Sequence, residues 1–193
     1  MGRPKNSNSD AARKQIQAAF WDLLDREGYE KITINKVAKE AHVNRNSVYY
    51  HYENILDLAE KSFLENIHSE QGVGLVTAAL NQFTSENAYI LDEKTRECMK
   101  KLQLMAGSNS IELHQMLKRG IKDNWFHIMQ VNEDILSEID RLSVDMAFHT
   151  ATYIMGTVSF ADNPEDFKSI LETDIGRAIV KTMRDIQDKY HTG

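Results

Sequence analysis

Apolar residues recur at intervals of three and four along most of this chain, which is the pattern of amphipathic α-helices. The first run begins after Ser9 or Asp10, either of which can cap a helix, and it ends at Gly28. Its apolar positions are Ala12, Ile16, Ala19, Phe20, Leu23 and Leu24. No segment shows the sustained alternation of a half-buried β-strand. The pattern therefore predicts an all-α fold.

Two short helices are predicted next, and the second has an unusual distribution of polar residues. Thr33 can cap the first, and Asn44 can cap the second, which spans Arg45–His51. Only Val48 and the following Tyr52 are placed to dock inward. Two short helices joined by a brief turn, with a polar outer face on the second, are typical of a helix-turn-helix that enters a DNA major groove. On this pattern alone, a structural three-helix element with a solvated face is the alternative.

The rest of the chain is also predicted to be helical. A fourth helix, Ile55–Ile67, leads out of the helix-turn-helix. Predicted breaks at 72–74, 84–87, 106–109 and 162–164 divide the remainder into helices near 74–84, 93–106, 110–131, 133–161 and 164–190. We therefore expect a flexible basic arm at 1–9, a DNA-binding domain at 10–53 and a larger helical domain at 54–193.

The charge is distributed unevenly between these parts. The whole chain has a formal net charge of -6, but residues 1–52 carry nine Lys and Arg against six Asp and Glu. That segment is therefore positive by three, and the remainder is negative by nine. A basic N-terminal part joined to an acidic remainder is expected where only the first part meets a polyanion.

Residues 10–60 resemble the TetR family of bacterial transcription regulators, and the second and third predicted helices carry most of the likeness. Nine residues match or nearly match the family pattern in order and spacing: Thr33, Val37, Ala38, Ala41, Val43, Val48, Tyr49, His51 and Tyr52. The chain departs from the pattern in three places. His42 replaces the usual turn glycine, Asn46 replaces a frequent glycine or proline, and Ile55-Leu56 replaces a frequent phosphate-binding Lys-Glu. His42 is expected to tolerate a positive φ.

The chemistry of these residues, together with the resemblance, predicts the DNA contacts. Arg, Asn, Ser and His side chains can bond base edges, while Lys, Tyr and Thr suit phosphate oxygens. The candidates are Arg3, Lys5, Thr33, Asn35, Lys36, Asn44, Arg45, Asn46, Ser47, Tyr49, Tyr50 and His51. Arg3 and Lys5 lie in the arm, which either follows a minor groove or is a solvated tail.

The last two predicted helices are apolar on more than one side, which exceeds the need of a single core. Ile135, Ile139, Leu142, Met146, Tyr153, Ile154 and Phe160 form one set, and Phe167, Ile170, Leu171, Ile175, Ala178, Ile179, Met183 and Ile186 form the other. The excess predicts a homodimer through a four-helix bundle, in which Gly156 and Gly176 allow close approach. The predicted interface residues are Tyr153, Phe160, Phe167, Leu171, Ala178, Ile179 and Met183.

The middle helices are rich in methionine and aromatic residues, each of which is ordinary as core. The resemblance implies an effector pocket in this region, and Met and aromatic side chains can line one. The predicted lining residues are Met105, Trp125, Phe126, Met129, His149 and Tyr153.

Several other classes of protein are disfavoured. The sequence has no nucleophile elbow, no phosphate-binding glycine loop and no zinc-protease motif, so we expect neither an enzyme nor a cofactor. A single cysteine, Cys98, and the absence of paired histidines argue against a metal site. No apolar stretch is long enough to cross a membrane, and the N-terminus lacks a signal-peptide pattern, so a cytoplasmic protein is expected.

Together these features predict a dimeric regulator that binds double-stranded DNA. We expect a repressor that a small-molecule effector releases from a palindromic operator. The alternative is a DNA-binding regulator without such an effector, controlled by a protein partner that docks on the acidic domain.

Overall fold

A computed structural model describes residues 7–80, 92–158 and 164–191 of the chain. Within these ranges the chain forms ten α-helices and two 3₁₀ helices, with no β-strand, so the all-α prediction is confirmed. The α-helices are α1 (Ser7–Glu27), α2 (Ile34–Glu40), α3 (Arg45–His51), α4 (Ile55–Ile67), α5 (Glu70–Leu80), α6 (Glu93–Ala106), α7 (Ile111–Met129), α8 (Glu138–Thr157), α9 (Pro164–Leu171) and α10 (Asp174–Tyr190). The 3₁₀ helices are Tyr29–Lys31 and Glu133–Ile135. No described helix is both long enough and apolar enough to span a membrane.

The chain divides into two compact units. The first ends at Phe63 and also contains Ser108–Ile111, while the second contains Leu64–Gly107 and the chain from Glu112 onward. In the first unit α1 packs against α2 and α3, which also pack against each other. Its core consists chiefly of Ile16, Phe20, Leu23, Leu24, Val37, Val48, Tyr52, Leu58 and Phe63, all buried.

Two ion pairs join α1 to α2 at the surface of the first unit. Arg26 donates to both carboxylate oxygens of Glu40, at 2.8 and 3.2 Å. Lys36 donates from Nζ to Oε2 of Glu27 at 2.5 Å. The hydrogen bond from Arg26 lowers the pKa of Glu40, and the one from Lys36 lowers the pKa of Glu27. Both pairs are exposed, so they orient the helices more than they stabilise them.

In the second unit α6 packs against α8, and α8 packs against α10. Gly156 allows the first contact, since a Cβ there would collide with the carbonyl group of Ala106. Gly176 likewise lies against the backbone of Ile170 and Leu171. Both glycines were predicted to allow close approach between subunits. The structure shows that they allow close packing within one unit.

A polar cluster joins the end of α10 to the start of α8. Asp140 accepts hydrogen bonds from Lys189 at 2.7 Å, from Ser137 at 2.6 Å and from the Tyr190 hydroxyl at 2.6 Å. Ser137 Oγ in turn accepts from the amide of Asp140 and caps α8. The Lys189 bond, followed by those from Ser137 and Tyr190, holds the pKa of Asp140 well below its usual value.

Three predicted helix limits are wrong. The break expected at 72–74 lies inside α5, because the chain turns earlier, between Ile67 and Glu70. Gly72 serves this turn, since a Cβ there would collide with the backbone carbonyls of Asn66 and Ile67.

The single helix expected at 164–190 is two helices, α9 and α10, and the Thr173 hydroxyl caps the second by accepting from the Gly176 amide at 3.1 Å. The helix expected from 133 begins only at Glu138, after a 3₁₀ turn.

Candidate DNA-binding and ligand sites

The helix-turn-helix of the first unit is held by local backbone hydrogen bonds and two side-chain caps. The Thr33 hydroxyl accepts from the amide of Lys36 at 3.3 Å and caps α2. The Asn44 side chain accepts from the amide of Asn46 at 2.6 Å and caps α3. These are the caps that the sequence predicts, and both use groups within three residues of the helix start.

The turn between α2 and α3 has the geometry of a Schellman motif. The amide of His42 donates to the carbonyl of Lys39 at 3.2 Å, and the amide of Val43 donates to that of Ala38 at 3.0 Å. His42 has a φ of 53°, so the predicted tolerance of a positive φ is confirmed. The turn fixes the direction in which α3 leaves α2.

The structure presents the candidate DNA contacts on the surface. Val48 is fully buried and anchors α3, while Tyr50 is 78% exposed on the other side. The exposed candidates are Thr33, Asn35, Lys36, Asn44, Arg45, Asn46, Tyr49 and Tyr50, and Ser47 and His51 are half-buried. Arg3 and Lys5 lie outside the described residues. The helix therefore has one anchored side and one polar side that is open to a partner.

Arg45 and Tyr49 form a pair on the open side of α3. A guanidinium nitrogen of Arg45 donates to the Tyr49 hydroxyl at 3.0 Å, and its central carbon lies 5.2 Å from the centre of the Tyr49 ring. The two residues are four apart, so they face the same side of the helix. This pairing restricts the rotamers of Arg45 before any ligand is bound.

Lys61 is a residue of this region that the sequence reading missed. Its Nζ donates to the carbonyl of His51, at the end of α3, at 3.3 Å and to Asp57 at 2.9 Å. Burial alone would raise the pKa of Asp57, but the bonds from Lys61 and the Glu53 amide lower it. The sequence does contain a signal for this contact: Asp57 and Lys61 are four residues apart, a spacing at which opposite charges pair on a helix.

The second unit contains a cavity of about 170 Å³. Described residues of all seven helices from α4 to α10 form its walls, which are almost entirely apolar. The lining residues are Ile67, Leu75, Met99, Leu102, Ile121, Trp125, Ala147, Phe148, Ala151, Thr152, Ile154, Met155, Ile170, Leu171, Gly176, Ile179, Val180 and Met183.

Of the six residues predicted to line a ligand pocket, Trp125 lies on this cavity. The other five lie elsewhere. Met105 and Phe126 are buried in the surrounding core, and Met129 is half-buried. His149 and Tyr153 point outward on α8, where Tyr153 is 70% exposed. Phe148 and Thr152, the residues just before them, do line the cavity, because adjacent residues of a helix point in directions about 100° apart.

The residues predicted for the dimer interface also separate. Leu171, Ile179 and Met183 line the cavity, where Met183 is buried and Leu171 and Ile179 are half-buried. Ala178 and Tyr153 are exposed. Phe160 and the side chain of Phe167 lie outside the described part of the chain.

Most of the first of the two apolar sets that predicted the dimer is exposed on α8. It consists of Ile139, Leu142, Met146 and Tyr153, each more than half exposed, and Ile135 precedes it in the 3₁₀ turn. The spacings of three, four and seven keep these residues on one side of the helix. We call this surface the α8 stripe.

Two side-chain amides, one buried and one half-buried, attach the end of α4 to neighbouring helices of the second unit. Asn124, buried on α7, donates from Nδ2 to the carbonyl of Ile67 at 3.3 Å. Asn66 donates from Nδ2 to the carbonyl of Cys98 on α6 at 3.2 Å. Ile67 and Trp125, which follows Asn124, both line the cavity. The end of α4 therefore belongs to the cavity wall and is bonded to its surroundings.

No group of three or more potential metal ligands converges among the residues described here. The described residues of the cavity wall include no His, Cys, Asp or Glu, and their methionine sulfurs are weak acceptors.

Comparison with known proteins agrees with this architecture. Residues 10–62 match the family model of bacterial regulatory proteins, tetR family. The fold is similar to two crystal structures of NalD, the secondary repressor of the MexAB-OprM multidrug efflux pump in Pseudomonas aeruginosa. In the native NalD structure the TM-score is 0.55 at 14% identity, with 92% of this chain and 96% of NalD covered. In the other the TM-score is 0.53 at 14% identity, with coverages of 95% and 98%. No curated protein sequence matches the chain.

Proposed function

We propose that this chain, which belongs through residues 10–62 to the tetR family of bacterial regulatory proteins, is a transcriptional repressor that a small molecule releases from a palindromic operator. The observation that carries the DNA-binding part is the orientation of α3. Val48 fixes one side of the helix in the core, and Arg45, Asn46, Tyr49 and Tyr50 remain outside. This is the arrangement that a recognition helix needs in a major groove.

Each exposed group has a role that follows from its chemistry. Arg45 and Asn46 lie in the first turn of α3, where side chains of a recognition helix meet base edges. Lys36 suits a phosphate, and to bind one it exchanges its bond to Glu27 for a phosphate oxygen. Tyr49, through its hydroxyl, holds Arg45 in place and suits a second phosphate. Base reading and backbone contact are therefore assigned to different side chains.

The proposed dimer is formed through the α8 stripe. A palindromic operator requires two copies of α3, set about 34 Å apart along the DNA. Exposed apolar side chains in one continuous row commonly mark an interface between proteins. The row along α8 repeats on one side of the helix, as a self-complementary two-fold interface needs. Of the interface residues that the sequence predicts, it keeps Tyr153 and leaves out those of α9 and α10.

The cavity supports control by a small molecule over control by a protein partner. Tightly packed middle helices without internal space would have favoured a partner protein. Ile67 belongs both to the cavity wall and to α4, and Asn124 bonds its carbonyl. A ligand that displaces Ile67 would therefore shift the end of α4. Lys61, in the middle of the same helix, bonds the end of α3.

By linkage, the ligand weakens operator binding by the factor by which the operator weakens ligand binding, typically about 1–3 kcal/mol. The ligand-free protein is the form that binds DNA. Because a repressor acts on DNA, we also propose the cytoplasmic location that the sequence predicts. The proposed function includes no enzymatic step, as is expected of a family of DNA-binding regulators.

The decisive experiment is selection of DNA from a random library by the full-length protein. We expect enrichment of a palindrome, and binding of a labelled duplex of that sequence by fluorescence anisotropy. Arg45→Ala should relax the base preference at one position in each half-site, where a bidentate contact discriminates by about 1–3 kcal/mol. Arg184→Ala, an exposed arginine on α10, is the matched control and should leave the preference unchanged.

Two results would count against the proposal. Failure to enrich any sequence would contradict sequence-specific binding. Lower affinity of Arg45→Ala with unchanged base preference would move Arg45 from base reading to phosphate contact.

A further inference from the structure

Tyr50 presents an aromatic ring to solvent on the polar side of α3. It is 78% exposed, and no large apolar or aromatic side chain is more exposed in the part of the chain that the structure describes. The apolar surface of such a ring is stabilised when a partner covers it. The ring takes no part in the base and phosphate contacts proposed for Arg45, Asn46 and Tyr49.

The position of Tyr50 around the axis of α3 is opposite the buried side of the helix. Val48 is fully buried, and successive residues of an α-helix are about 100° apart, so Tyr50 lies about 200° from it. Asn46 precedes Val48 by two residues and lies about 200° from it in the other sense. Tyr49 is about 100° from Val48 and lies at the flank of the helix. Asn46 and Tyr50 therefore form the row of α3 that faces away from the core, and this row meets base edges when the helix lies in a major groove.

The spacing of four residues places these two side chains next to each other. They are about 6 Å apart along the helix axis, which is close to two base-pair steps of a DNA duplex. Side chains of a helix lean towards its N-terminus, so the ring of Tyr50 leans towards Asn46. The ring of His51 lies edge-on to that of Tyr50, with a centroid distance of 5.0 Å and an interplanar angle of 88°. Because edge-on contacts between rings are favourable, this contact narrows the orientations of the Tyr50 ring before DNA is bound.

The major groove offers one apolar group that suits such a ring. Thymine presents a C5 methyl group there beside its O4 acceptor, whereas the other three bases present hydrogen-bonding groups and no methyl. Apolar side-chain surface, including that of an aromatic ring, packs on this methyl group. An amide such as that of Asn46 pairs instead with N6 and N7 of adenine. A row that places an amide next to a ring therefore suits an adenine with a thymine close by.

We infer that the ring of Tyr50 reads the methyl group of a thymine in each operator half-site, within about two base pairs of the base that Asn46 contacts. The inference rests on the DNA-binding part of the proposed function, and it adds a specificity-determining residue and the base that this residue selects. It assigns the ring of Tyr50 to a base, although a tyrosine hydroxyl alone would suit a phosphate. The effector plays no part in it.

Replacement of thymine by uracil tests the inference, because uracil lacks the methyl group but keeps O4 and still pairs with adenine. The probe is the palindromic duplex that the full-length protein selects from a random library. It is resynthesised with deoxyuridine at one thymine position at a time, in both half-sites. Fluorescence anisotropy should show one position at which uracil weakens binding by about fourfold for each half-site, the effect of burying one methyl group, and so by about sixteenfold for the duplex.

Two variants test whether Tyr50 is the reader and which part of it reads. Tyr50→Ala removes the ring that covers the methyl group, so it should bind the thymine and uracil duplexes with affinities within about twofold of each other. Tyr50→Phe keeps the ring without the hydroxyl and should retain the full difference. Ile111→Ala is the matched control, because it shortens an exposed apolar side chain of α7 and should also retain the difference. Circular dichroism checks that the variants are folded, and the comparison of duplexes on the unmodified protein needs no variant.

Four results would overturn the inference: no thymine position that responds to uracil in the unmodified protein, a difference that survives Tyr50→Ala, a difference that disappears in Tyr50→Phe, or a responsive thymine more than about two base pairs from the base whose preference Asn46→Ala relaxes. Enrichment of a palindrome without a responsive thymine would contradict this inference and leave the proposed function intact. Failure to enrich any sequence would contradict the proposed function, and the inference with it.

Discussion

Leu142→Glu places a charge in the middle of the proposed dimer surface and leaves the core of the second unit intact. Leu142 is 56% exposed, and Ile139 and Met146 beside it are exposed to a similar or greater extent. The isolated chain therefore has little to lose from the substitution. We expect the purified variant to be folded and monomeric at concentrations at which the unmodified protein is dimeric.

The magnitude follows from the exposed area and the two-fold symmetry. Full burial of a leucine side chain contributes about 1.5–3 kcal/mol, so burial of the exposed half contributes about 1 kcal/mol in each subunit. A two-fold dimer carries the substitution in both subunits, so the lost free energy of burial is about 2 kcal/mol in total. Desolvation of the two carboxylates adds at least about 2 kcal/mol more. A loss of about 4 kcal/mol corresponds to an increase in the dimer Kd of roughly a thousandfold.

Sedimentation equilibrium over a range of concentrations measures this change, and circular dichroism checks the fold. Ile111→Glu is the matched control, because Ile111 is 70% exposed but belongs to α7 and not to the α8 stripe. An unchanged dimer Kd for Leu142→Glu would refute the assignment of the interface. The same would follow if Ile111→Glu dissociated the dimer equally. Ile179 is unsuitable for this test, because it lines the cavity and a charge there would disturb the subunit itself.

Three further predictions concern the two units separately. Lys36→Ala should weaken binding to all DNA sequences alike and reduce the slope of log K against log salt by about one, measured by anisotropy at several salt concentrations. Asn124→Leu leaves the Ile67 carbonyl without its amide donor, so it should lower the free energy of unfolding in urea by about 1–3 kcal/mol. Asp140→Asn should lower the Tm at pH 7, and the difference from the unmodified protein should shrink below about pH 4, because a carboxyl with a lowered pKa stabilises the fold only while it is ionised.

The helix-turn-helix could be predicted from the sequence because its determinants are local. Thr33 and Asn44 cap helices that begin at the next residue, and His42 accepts a positive φ in a turn closed by bonds to residues three and five positions back. The buried position of Val48 follows from the spacing within α3. None of these features depends on a distant part of the chain.

The cavity could be predicted only in part, since lining depends on how the helices rotate against one another. Trp125 was selected as an aromatic residue in a Met-rich region, and the same argument selected Phe126, which is buried elsewhere. The two are adjacent on α7 and point in directions about 100° apart. Composition does not say which of the two directions meets the cavity. The buried amide of Asn124 also lacked a signal, because its partner carbonyl is distant in sequence.

The choice between core and dimer surface fails in sequence for a related reason: both produce an apolar row with helical spacing. In the sequence, the exposed Leu142 and Met146 on α8 have the same pattern as core residues, and the buried Met183 on α10 has the same pattern as an interface residue. The structure distinguishes them at the break between α9 and α10. There Thr173 caps a new helix, and Gly176 lets the first turn of α10 lie against the backbone of α9. On α10, Val180, Met183 and Ile186 are buried in the second unit, whereas the α8 stripe stays exposed. A cap inside a continuous apolar pattern is thus the local signal that decides which row faces the core.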